Sequence, residues 1–233
     1  MDYYDILIDG ISAEIYVSRI IHTRSWIAAE LSDGRYGIAL HDKLQSRERM
    51  FPTLEGLTAR KAAEAVRSWN LLEASEAMAV INAFYNTEER LDKLSARCGF
   101  DKSCTQGFST EGKKVALIGH LVLQPDALKG ASEVYIIERD PKPGSACEYI
   151  LPESDIVIMT ASAAINKTLP RLLELSKNAV SIIIGPTTPL CPELKALGID
   201  RLSGMAVRDK VTFEAWATAS HGSPYKHGDV FMI

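Results

Sequence analysis

At 233 residues the chain is long enough for one large domain or two modest ones, each able to bury a core. It is 46% hydrophobic and 24% charged with a formal net charge of −4, which argues against a general nucleic-acid surface because phosphate binding needs a clustered basic excess. No apolar stretch approaches the ~20 residues that cross a bilayer, so no membrane partner is expected.

The start, with Asp2 and Asp5, lacks the basic and apolar blocks of a secretory signal, and a cytoplasmic address is expected. Cys98, Cys104, Cys147 and Cys191 form no C-x-x-C pair. Free thiols are therefore expected in place of a zinc knuckle or disulfides.

In chain order, residues 2–10 read as a short opening helix. Residues 14–22 and 25–31 read as strands and a Ser32-Asp33-Gly34 turn leads into a third over 35–40, so an antiparallel meander is expected. Residues 41–56 are polar and irregular, long enough for a functional loop. Thr58 caps a predicted helix running to Trp69, with Ala62, Ala65, Val66 and Trp69 as its buried stripe. A second helix is predicted over 71–85, where Ala74, Met78, Ile81 and Tyr85 share a face. Asn82 lies beside that stripe and has two readings, a core amide bonded to a main-chain carbonyl or a group reaching into a cleft. Residues 95–112 carry glycines and serines with little apolar periodicity and read as a linker.

Five short apolar runs follow, at 115–118, 134–137, 156–159, 180–184 and, more weakly, 199–202. Such runs separated by helix-like stretches read as buried parallel strands. They end at Gly119-His120, Glu138-Arg139-Asp140, Thr160, Gly185-Pro186-Thr187-Thr188 and Ser203-Gly204. In an open parallel sheet the strand carboxyl ends share one edge, and ligands bind in the crevice there. Thr188-Pro189 reads as a hydroxyl cap with Pro at the first helical position, the helix closing at Gly198. The tail 221–233 reads as irregular.

The polar ends suggest several chemistries. A dinucleotide fingerprint needs three spaced glycines, and after Gly119 the second and third are missing, although Glu138 stands where a ribose-binding acid would. His120 can be read as a metal ligand, a proton carrier or a loop residue bonded to main chain. Glu138 and Asp140 fall on one side of their strand and with His120 could ligate a divalent ion, unless Arg139 neutralises one or all three are solvated. The Gly185–Thr188 turn, opening onto a helix start, would offer unpaired N–H groups to an anion. Asn166 would face the crevice while Thr168 caps the next helix, and Ser203 would line the far wall. No G-x-S-x-G elbow supports a serine hydrolase. His221 and His227 are too loosely spaced for a metal pair. Cys191 is either a soft ligand or a small buried hydrophobe.

These stretches resemble the heavy-metal chelation domain family of bacteria and archaea. The matching residues are Lys114-Val115-Ala116-Leu117-Ile118-Gly119-His120, Ile137-Glu138-Arg139-Asp140-Pro141 and Leu151-Pro152-Glu153-Ser154-Asp155. Further matches are Ile158-Met159-Thr160, Asn166-Lys167-Thr168-Leu169, Gly185-Pro186-Thr187-Thr188-Pro189-Leu190 and Leu202-Ser203-Gly204, while Ile81-Asn82-Ala83 resembles the family's Asn-Ala signature. The resemblance implies an α/β protein: a small α+β enolase N-terminal-like domain over residues 1–94, a linker over 95–112 and a Rossmann-like parallel-sheet domain over 113–233. It implies a site between the two domains built from Asn82, His120, Glu138, Thr160, Asn166 and the turn Gly185, Pro186, Thr187 and Thr188, to which the strand-end reading adds Gly119, Asp140 and Ser203. A divalent or heavy-metal ion, or a metal-chelating small molecule, would bind there, with His120 and Glu138 as metal contacts. An enzyme acting on a small anionic or nucleotide-like metabolite is the alternative reading of the same cleft, and a homo-oligomer is compatible with either.

Overall fold

A computed structural model describes residues 2–44, 47–94, 96–98, 103–124, 126–138, 146–219 and 223–233. The fold is mixed α/β, with a small antiparallel sheet and a larger, mostly parallel one. Helix α1 (Tyr3–Asp9) opens the chain, closed at its start by a reciprocal capping box between Asp2 and Asp5. Strands β1 (Val17–His22), β2 (Trp26–Leu31) and β3 (Tyr36–Leu40) form the expected meander in the order β1-β2-β3. Thr58 caps α2 (Ala59–Ala63), but the helix tightens into a 3-10 turn over Glu64–Arg67 and stops before Trp69. Trp69 is 63% exposed, so it does not belong to the buried stripe. Helix α3 spans Leu71–Tyr85, as the periodicity predicts, with the Asn70 side chain capping the Glu73 N–H.

Helix α3 is buried on nearly every side, which requires small residues on its sheet-facing surface and partners for its polar ones. Gly37 of β3 lies directly against it, where a Cβ would fall on Ala83 N and Ala79 O. Glu73 takes the N–H groups of Met50 and Phe51, both at 2.8 Å, and Ser75 takes that of Asp42 at 3.1 Å. Glu76 accepts His22 at 2.9 Å and Arg49 at 3.1 Å. The loop after β3 is thereby fastened to the helix by buried oxygen atoms.

The short helix α4 (Glu88–Lys93) leads to β4 (Arg97–Cys98), which lies within the expected linker yet joins the large sheet. That sheet contains β5 (Lys114–Ile118), β6 (Glu133–Ile137), β7 (Ile156–Thr160), β8 (Val180–Ile184), β9 (Arg201–Val207) and β10 (Gly228–Met232). Its order is β4-β10-β9-β8-β7-β5-β6, parallel from β6 to β9 and antiparallel at β10 and β4. The tail is therefore not irregular: β10 pairs with β9 on one side and β4 on the other. Side chains alternate as a pleat requires. Ala116, Ile118, Val157, Met159 and Ile183 join the core shared with α3, while Val115, Leu117, Ile156, Ile158 and Ile182 face the opposite side. That second face is covered by Phe108, Leu121, Leu123 and Leu128, and among the described residues no helix joins β5 to β6. Helices α5 (Ala146–Ile150), α6 (Ser162–Ile165) and α7 (Leu169–Leu175) are all short.

The two halves interlock. Helix α8 (Lys210–Ala219) packs Phe213, Trp216 and Ala217 onto Ala28, Tyr36 and Ile38 of the meander, so the small sheet is sandwiched between α3 and α8. Lys210 pairs with Glu30 at 3.0 Å, and Arg19 pairs with Glu214. Asn86, just past α3, donates to Thr188 O at 2.8 Å and Met205 O at 3.1 Å and accepts Leu190 N at 2.7 Å, all buried.

Two outcomes follow from this packing. Gly37→Ala forces a methyl group into main chain that cannot move aside, and should cost about 3 kcal/mol in urea denaturation. Burial alone would raise the Glu76 carboxyl, but hydrogen bonds from His22 and Arg49 outweigh it and hold the group low. Its stabilisation is complete above the unfolded value of about 4.3 and is withdrawn as pH falls through the lower folded value. The urea midpoint should fall on acidification through that range, and Glu76→Gln should lower the midpoint at pH 7 while flattening the acid limb.

Candidate functional site

Strand β5 sits between β6 and β7, so the chain reverses its direction of progress across the sheet at the carboxyl ends of β5 and β7. A crevice opens at such a reversal because the connections leave on opposite faces. Gly119 ends β5 there with φ +90, donating its N–H to Ile137 O at 2.8 Å. A Cβ on Gly119 would approach Thr160 Cγ2 to 2.6 Å, so only glycine lets these two strand ends lie side by side.

The crevice widens into a cleft of about 1430 Å³, roofed by the loop after β3 and floored by the strand ends. Of the residues read from the sequence, Gly119, His120, Glu138, Thr160, Asn166, Gly185, Pro186 and Thr187 line it. His120 Nδ1 lies 3.2 Å from Glu138 Oε1, with the two side chains 86% and 58% exposed. The Thr160 and Ser162 hydroxyls meet at 2.9 Å. Asn166 Oδ1 accepts Thr168 N at 3.2 Å and Thr168 Oγ1 at 2.7 Å, so Asn166 holds the turn before α7, where Thr168 makes no side-chain cap. Asp140 and Arg139 lie outside the described residues, as does His221.

Three of the expected residues stand elsewhere. Asn82 is fully buried, donating to Ile38 O at 2.7 Å and Thr187 O at 3.0 Å. It ties β3 to the turn after β8, and its Oδ1 has no partner. Thr188 is fully buried, its carbonyl held by Asn86. No helix starts at Thr188. The chain runs on to a 3-10 turn over Pro192–Leu197, with no side-chain cap at Cys191. The helix start from which an anion contact was expected is therefore not formed, and the Thr187 hydroxyl accepts Leu40 N at 2.9 Å. The reason is positional: the turn is clamped between α3 and β9, its Thr187 and Thr188 carbonyls held by Asn82 and Asn86, while the buried Thr188 hydroxyl has no partner. Ser203 lies inside β9, opposite Ile184 and Met232, because that strand runs on to Val207. Cys191 is buried against Glu193, its thiol pushed up to about 12 by burial first and then by that carboxylate.

Other cleft residues come from segments whose chemistry the sequence reading left unassigned. His41, Asp42, Lys43 and Leu44 enter from the loop after β3, with Trp26 beside them. His41 Nδ1 sits 2.6 Å from Thr23 O. A carbonyl only accepts, so Nδ1 carries the proton and Nε2 is left as an acceptor, the tautomer seen in ligating histidines. Cys147, Glu148 and Arg171 come from α5 and α7, with Arg171 bound to both Glu148 and Glu174. Lys167 lies in the Asn166-Lys167-Thr168 segment. The signal available for His41 was its place just beyond a strand; for Lys167 it was the same turn that drew attention to Asn166.

Two family models match the chain, and both are described as "Putative heavy-metal chelation": DUF4213 over residues 4–85 and DUF364 over residues 108–229. The chain is 30% identical over 156 residues to an uncharacterized protein of Methanocaldococcus jannaschii, a match covering 61% of this chain and 58% of that protein. The crystal structure of a DUF364 family protein of unknown function from Desulfitobacterium hafniense aligns with a TM-score of 0.83 at 32% identity, over 99% of this chain and 96% of that one. Another, of unknown function from Pyrococcus horikoshii, aligns with a TM-score of 0.79 at 22% identity, over 99% and 98% of the two chains, and shares the fold. Since the DUF364 model alone spans more than half of the sequence, the chain belongs to the DUF364 family.

Proposed function

We propose that the protein binds a metal-chelating small molecule, with its metal, in the cleft between the meander loop and the strand ends. The observation that carries this reading is a mismatch of size and donors. The cleft holds about 1430 Å³, far more than a bare ion needs. Among the described residues no group of three or more His, Cys, Asp and Glu side chains could hold a metal ion. A closed protein site for zinc takes four ligands, whereas His120 and Glu138 bring two donor side chains together. Two protein donors suit a metal whose remaining positions are filled by an organic ligand. The metal is then cargo, and the family description agrees with that role. Apolar Trp26, Leu40, Leu44 and Leu121 would cover the organic part.

An enzyme acting on a small anionic metabolite would use the same pair, Glu138 orienting His120 as acid and base. The high exposure of both side chains favours binding over turnover, because no water-excluded reacting centre surrounds them.

Native mass spectrometry with elemental analysis of gently purified protein tests the proposal. The expected result is an adduct containing both a metal and organic mass, reduced about tenfold or more in occupancy by His120→Ala or Glu138→Gln. Protein carrying a bare ion, or an adduct indifferent to both substitutions, would overturn it.

A further inference from the structure

Lys167 is a residue that the proposed binding chemistry does not use. Its backbone lies at φ +68, and it is the one non-glycine among the described residues with positive φ. Side chains seldom accept this conformation, which crowds the Cβ, so its presence points to a constraint imposed by the surroundings. The Lys167 amine reaches across the junction of the two halves, donating to Val66 O at 2.6 Å and Ile165 O at 2.7 Å. Lys167 also lines the cleft.

Two neutral carbonyls, with the Tyr4 ring face 5.8 Å away, hold this amine in place without neutralising it. Among the described residues no carboxylate forms an ion pair with it; Asp42 acts on it at longer range. The other charged groups of the cleft are differently placed. Arg171 is spent on Glu148 and Glu174, His120 and Glu138 face each other, and Lys43 is exposed. An ammonium withdrawn from water calls for a counter-charge. The helix start that would have supplied an anion contact at Thr188 does not exist, so the cleft's fixed, unneutralised cation is here.

We infer that Lys167 is an anion-binding residue, its ammonium taking a carboxylate or phosphate group of the molecule that occupies the cleft. The inference rests on the cleft being the ligand site proposed above and specifies the chemistry of that ligand: an anionic chelator, held at one end by Lys167 and at its metal by His120 and Glu138. Burial pushes the free amine down to about 8, with Asp42 opposing. A bound anion favours the charged form and must therefore move the midpoint upward.

The test is a pH titration of the intact protein with 13Cε-labelled lysine, the Lys167 resonance being assigned with Lys167→Arg. The probes are citrate and inorganic phosphate in separate series, which distinguishes a carboxylate from a phosphate preference. The expected result is an upward displacement of the Lys167 midpoint by about one unit with the preferred anion, corresponding to a tenfold preference for the ammonium. Lys167→Gly, which suits a positive φ, should fold and lose at least tenfold in affinity for that anion. A Lys167 midpoint unmoved by both anions up to tens of millimolar, or equal affinity in Lys167→Gly, overturns the inference. If the metal-bearing adduct persists in Lys167→Gly and disappears in His120→Ala, the binding proposal stands without it.

Discussion

The structure depends on one constraint: α3 is buried on nearly every side, yet it carries Glu73, Ser75, Glu76 and Asn82 among its alanines. A polar group without a partner in such a position costs about 1–3 kcal/mol, so each must find something to bond. The partners found are main-chain groups for Glu73, Ser75 and Asn82, and the His22 and Arg49 side chains for Glu76. Glu73, Ser75 and Glu76 gather the loop after β3. Further along, Asn82 and, just past the helix, Asn86 gather the segment after β8. The roof and one wall of the cleft are thus fastened to the same helix. Asn82, read from sequence as part of the site, shapes it from beneath.

Interlocking of the halves follows from the same economy of burial. A three-stranded sheet has two faces, and α3 covers only one. The other is covered by α8, which belongs to the second half of the sequence. Strand β4, at the far end of α4, returns to the large sheet as an edge strand beside β10. The first half therefore buries its meander only with help from residues 210–219. The cleft lies where the two halves close on each other, and Lys167, bonded to Val66 O, spans that junction.

Chemically, the cleft is a wide, partly apolar space with its polar groups at the margins. The His120 and Glu138 pair stands at the ends of β5 and β6, His41 at the loop that forms the roof, and Lys167 at the turn before α7. None of these comes from the same secondary-structure element as another. Such dispersed, single donors suit a multidentate guest better than a naked ion, which requires its ligands within a coordination sphere. The positive end of this arrangement is supplied by a side chain. Just after β8, the N–H groups of Gly185, Thr188 and Leu190 are taken by Ser203 O, Gly185 O and Asn86 Oδ1.

Local pattern was sufficient for most elements. Strand-like composition with a turn located β1 to β3, continuous apolar runs located β5 to β8, and the 3.6 period located α3, because those signals record which side chains must face a core. The strand-end rule identified Gly119, His120, Glu138, Thr160 and the Gly185–Thr187 turn as neighbours, and the geometry brings them to one cleft. What the sequence could not express was which polar residue a neighbour would consume. Thr188-Pro189 has the composition of a helix cap, but Asn86 and β9 hold it extended. The tail has the composition of a loop, but an open edge of β9 makes it a strand. Periodicity and strand ends are properties of a segment alone, so the chain's own order determined them. The assignment of Asn82 to packing and of Lys167 to the cleft depends on contacts between residues about a hundred positions apart. Only the closing of the two halves, which decides whose hydrogen bonds are already satisfied, could settle it.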